Sequence, residues 1–119
     1  MKVDNPIQIK SYAFALRMVK LYRYLCTEKK EFVLSKQIVR SGTSIGANVE
    51  EAIGGQSKMD FLSKMSIAYK EARETHFWLR LLRDSHVLDA KQAESLMQDC
   101  EELLKLSGSI IRTTKPKNS

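Results

Sequence analysis

Apolar residues recur along most of this chain at alternating steps of three and four, as they do in helices that each bury one face. Ile38, Gly42, Ile45, Val49 and Ala52 follow that rhythm, and Gln37, Ser41, Ser44, Asn48 and Glu51 repeat it alongside as a polar stripe. By propensity alone Ser41-Gly42-Thr43-Ser44 reads as a loop between two short helices. The rhythm predicts instead one helix from about Phe32 to about Ile53, stopped by Gly54-Gly55. Gly42 and Gly46 stand four apart, so a neighbouring backbone can come close there.

The same reasoning places three more helices. The first is expected from about Ile9 to about Lys29, with apolar rows Tyr12, Leu16, Val19, Cys26 and Ala15, Met18, Tyr22, Leu25. Opposite these, Lys10, Arg17 and Lys20 share one edge with Tyr24. After the charged connector Thr27–Glu31 and the second helix, Ser57 with Asp60 opens a third. Its core row is Phe61, Met65, Ala68, Ala72, Thr75, Leu79 and Leu82. A second row holds Ile67, Glu71, Glu74, Trp78 and Leu81, and a third holds Ser66, Tyr69, Arg73, His76, Arg80 and Arg83. Asp89 with Gln92 caps the fourth helix, Leu88 stapling to Ala93, and Ala93, Leu96, Cys100, Leu103, Ser107 and Ile110 form its core row. No segment keeps a two-residue alternation, so no strand is expected. Four helices with short connectors predict an all-α, single-domain, up-down-up-down four-helix bundle over residues 1–114 and a disordered basic tail over 115–119.

Composition agrees with one soluble domain: 119 residues, 43% hydrophobic and 29% charged. The two prolines, Pro6 and Pro116, lie near the ends, leaving nothing between them to break a helix. No apolar run approaches the roughly 20 residues of a bilayer span, and no secretion signal is apparent, which predicts a cytoplasmic protein without a membrane partner. Cys26 and Cys100 lie far apart without ligand spacing, as reduced, packed cysteines do. The net charge of +6 is uneven, since residues 1–30 carry seven Lys/Arg against Asp4 and Glu28. That asymmetry favours polyanions.

The runs RSGTSIGANVEEA and SKMDFLSKMSIAYKEARETHFWLRLL, with KSYAFALRMVKLY near the start, closely resemble the 23S rRNA intervening-sequence protein family. The resemblance extends over nearly the whole chain. It implies an up-down-up-down subunit that forms pentameric rings, of mostly undefined biochemical role. A related branch, the accessory proteins of diversity-generating retroelements, binds nucleic acid and a reverse transcriptase.

Nothing in the pattern calls for catalysis or a cofactor. Di-iron bundles use Glu-x-x-His at i, i+3, whereas His76 follows Glu74 by two and Glu71 by five. No phosphate-binding loop is present, and neither His76 nor His86 belongs to a nucleophile–base motif. Arg40, Ser44, Asn48, Glu71 and Glu74 read as a structural polar network across a hairpin centred near Gln56, in which Arg40 faces Glu71 and Glu74. A ligand-facing polar pocket is the other reading of the same residues. Trp78 suits a core or interface anchor, with base stacking as the alternative, and His76 is expected to be solvated between Arg73 and Arg80.

The expected function is therefore that of a non-catalytic oligomeric scaffold, a homopentamer by the resemblance, that associates with RNA or another nucleic acid. Lys10, Arg17, Lys20, Arg73, Arg80 and Arg83 are the candidate phosphate contacts, and Tyr24 and Tyr69 the candidate stacking residues. The alternative is an adaptor ring for a protein partner. Helices one and three are diagonal in such a bundle, so their basic rows point to different sides of one subunit.

Overall fold

In a computed structural model, which describes residues 5–116, four helices follow one another: α1 (Pro6–Thr27), α2 (Leu34–Ile53), α3 (Lys58–Asp84) and α4 (Ala90–Thr114). Each helix packs on the next and α4 returns to α1, while the backbones of the diagonal pairs stay more than 8 Å apart. The result is an up-down-up-down bundle of 47 × 24 × 23 Å. Three of the seams are close; that between α1 and α4 is the loosest.

Local chemistry sets the helix ends. The Asn5 side chain accepts from the Ile7 and Gln8 N–H groups, with Pro6 in the first turn, so α1 starts earlier than Ile9 and ends before Lys29. Ser57 accepts from Asp60 N–H and Asp89 from Gln92 N–H. Val33 offers α2 no side-chain cap. The Glu31 carboxylate reaches in from the connector and accepts the N–H groups of Val33, Leu34 and Ser35 at 3.2, 3.0 and 2.7 Å. Lys115 N–H bonds Ile111 O at the end of α4, and residues 117–119 of the expected disordered tail lie outside the described residues.

The core row of α2 is buried throughout, as are Met65 to Leu82 on α3 and Ala93 to Ser107 on α4. On α1 the expected rows are right only in part, since Met18 and Leu25 of the second row are in the core and the first row is not. Ile7, Ser11, Phe14, Met18, Leu21 and Leu25 face the core, whereas Tyr12 is 67% exposed and Leu16 is 51% exposed. Packing against α2 selects this register. A Cβ on Gly42 would sit 2.3 Å from Met18 Cγ, and one on Gly46 would sit 3.2 Å from the Ser11 carbonyl oxygen. The glycines are used by α1 of the same chain, which explains why the small Ser11, rather than a larger apolar residue, belongs to the buried row.

Candidate nucleic-acid interface

The basic edge of α1 faces α4. Lys10 Nζ donates to Glu102 at 2.7 Å, and Arg17 donates to Asp99 at 2.6 Å and to Ser95 at 3.2 Å. These exposed pairs bridge one half of the loose seam. Beyond Arg17 the seam opens into a groove of about 530 Å³ lined by Arg17, Lys20, Leu21, Tyr24, Leu88, Lys91, Gln92, Ser95 and Leu96. Leu21, Leu88 and Leu96 are buried, so they form an apolar floor, and the cations stand along the rims. Lys20 and Lys91 are exposed and form no ion pair among the described residues. Tyr24 is half-buried against the core with Lys29 over its ring at 5.9 Å.

The sequence matches the 23S rRNA-intervening sequence protein family over residues 4–109. The chain belongs to that family. A crystal structure of a protein of unknown function from the S23 ribosomal protein family, from Bacteroides thetaiotaomicron VPI-5482, is similar to it at 52% identity. The similarity covers 92% of this chain and 97% of that one, with a TM-score of 0.90. A comparison with curated proteins finds no match.

In this 23S rRNA-intervening sequence protein the candidate residues of α3 do not join the α1 group. Arg73 and Arg80 are exposed, Arg80 lying over the Phe77 ring at 5.8 Å. Arg83 donates to Asp84 at 2.9 Å and comes within 4.0 Å of Glu94. That hydrogen bond holds the Asp84 carboxyl below its usual range and raises the Arg83 guanidinium. Tyr69 is half-buried in a separate cleft on the α3–α4 side. His76 is not solvated between Arg73 and Arg80; its Nε2 lies 2.9 Å from Glu101 of α4, because its row turns toward α4.

On the α2–α3 side, Arg40 bonds Glu71 at 3.4 Å and also Glu74, whose carboxylate accepts the Trp78 indole N–H at 3.0 Å. Asn48 turns inward along its own helix and donates to Ser44 O and Oγ, and Lys64 pairs with Glu51 at 2.9 Å. Lys91 carries no signal in the sequence, because it stands among the acidic residues of the first half of α4. Only the antiparallel return of α4 to α1 sets it opposite Lys20. Among the described residues no three His, Cys, Asp or Glu are placed to hold a metal, and no helix is long and apolar enough to cross a membrane.

Proposed function

We propose that this 23S rRNA-intervening sequence protein is a non-catalytic helical scaffold that binds RNA in the α1–α4 groove. The observation that carries this reading is the convergence of Arg17, Lys20 and Lys91 on one open groove beside Tyr24. Unpaired lysines on the rims attract phosphates, and an aromatic ring above an apolar floor accepts a base without demanding its identity. Lys10, fixed to Glu102 further along the seam, positions α1 against α4 in this account. Anisotropy of a labelled single-stranded RNA, titrated at several salt concentrations, tests the reading.

A ring fits the remaining surface. Ile9, Tyr12 and Leu16 form an exposed apolar stripe on α1, and Phe77 and Leu81 with Ile67 form another on α3, the diagonal helix. Two different patches on opposite sides suit a heterologous contact, which closes into a ring when the rotation allows. In a homopentamer of that kind, α1 of one subunit meets α3 of the next, and Arg73 and Arg80 come to flank the neighbour's groove.

A further inference from the structure

We infer that the cleft between α3 and α4, at the end of the bundle opposite the α1–α4 groove, is a second binding site, for a nucleotide phosphate. Ser66, Tyr69 and Lys70 line it from α3, and Gly108, Arg112 and Lys115 from α4. Its volume of about 380 Å³ falls within the ~300–1,000 Å³ of small-ligand clefts.

The charge of α4 is sharply divided. Its acidic residues, Glu94, Asp99, Glu101 and Glu102, lie in its first half, and each is engaged by Arg83, Arg17, His76 or Lys10. From Leu103 to Pro116 it carries Lys105, Arg112 and Lys115 and no acid. Lys70, Arg112 and Lys115 are exposed and form no ion pair among the described residues. A basic last turn complements the helix dipole, which accounts for Arg112 but not for Lys70 arriving from the neighbouring helix. The two basic regions lie at opposite ends of α4, so this cleft is distinct from the α1–α4 groove.

Tyr69 gives the cleft an aromatic wall. Gly108 is buried, and a Cβ there would lie 3.4 Å from both Tyr69 Cε1 and Arg112 Nη1, so the ring edge and the guanidinium close over the same glycine. The Ser66 hydroxyl has no protein partner among the described residues and can donate to phosphate. Three cations, a hydroxyl donor and an aromatic edge match an anionic phosphate joined to a planar base. That chemistry is offered by a free mononucleotide and by the 5′-phosphate end of an RNA strand.

Isothermal titration calorimetry of the full chain with adenosine monophosphate and with adenosine tests the site. The monophosphate is expected to bind at least about tenfold more tightly than adenosine. R112Q/K115Q, and separately K70Q on the other helix, are expected to weaken it about tenfold, with unchanged circular dichroism. K20E/K91E, at the far groove, leaves it within about twofold, so the inference stands or falls independently of RNA binding there. A 5′-phosphorylated RNA decamer that competes better than its 5′-hydroxyl form identifies a strand end as the ligand. Failure of both forms to compete identifies the free nucleotide, and equal competition by the two, which means that internal phosphates are bound, overturns the inference. No heat with millimolar adenosine monophosphate, or equal affinity for adenosine, or no loss in K70Q and R112Q/K115Q, overturns the inference.

Discussion

The hydroxyls of Ser41 on α2 and Thr75 on α3 lie 2.8 Å apart, fully buried, and form a polar contact in the interior of the seam between the helices. Each also reaches a carbonyl of its own helix, Ile38 O and Glu71 O. The pair fixes the register of the hairpin, and its energetics follow from satisfaction rather than strength. Thr75→Val keeps the shape and removes one partner, and is expected to cost about 1–2 kcal/mol. Ser41→Ala combined with Thr75→Val is expected to cost clearly less than the two single changes added together, since neither hydroxyl is then stranded. Urea unfolding of the four variants measures the coupling, and strict additivity would contradict the pairing.

Arg40 meets two carboxylates, yet its side chain is 51% exposed. Solvent screens the pair, so Arg40→Ala is expected to cost about 0.5–1 kcal/mol rather than the ~3 kcal/mol of a buried pair. Trp78 keeps its bond to Glu74 in that variant, and its fluorescence maximum should not move. A large red shift would mean that Arg40 holds the whole corner in place.

Leu16 lies on the outward stripe of α1, away from the bundle's own core. Light scattering of the wild type should give five times the 13.6 kDa of one chain. Leu16→Glu should reduce the mass to that of one chain at micromolar concentration, with helicity retained. A wild type that already runs as one chain refutes the ring.

Burial pushes the Cys100 thiol up to about 12, and the carboxylates of Glu101 and Asp99 add to the effect. An aromatic disulfide reagent at pH 8 should leave Cys100 untouched in the folded protein and titrate it after denaturation. The raised value also has a stability consequence. Below the unfolded thiol's value of 9.0 both states are protonated and the contribution is whole; as pH climbs from there toward about 12, the unfolded state ionises first and stability falls. Cys100→Ser should flatten that alkaline decline, and an unchanged decline assigns it to other groups.

The parts of this fold legible in the sequence are those written locally. Ser57 with Asp60, and Asp89 with Gln92, are caps within one turn, and the α2 rhythm outweighs the loop-like composition of Ser41–Ser44 because a helix face is periodic whatever its residues are. On α1 the chain is apolar on several faces, so periodicity alone cannot choose among them. Ser11 hides the true row from a hydrophobic count, and Gly46, 35 positions later, is the reason it belongs there. The candidate site fared likewise. Lys10 and Arg17 look free until Glu102 and Asp99, 92 and 82 residues away, return beside them, and Lys91 gains its meaning only opposite Lys20.

The most direct measurement is the salt dependence of RNA affinity for the wild type beside Lys20→Glu/Lys91→Glu. With Lys20 and Lys91 each contacting one phosphate of a single strand, log K should fall against log salt with a slope of about −1.4 per groove. The double variant, still folded, should lose at least about tenfold in affinity at low salt, and its slope should fall close to zero. Wild-type affinity that is absent at low salt, or a double variant with the wild-type slope, would contradict the account.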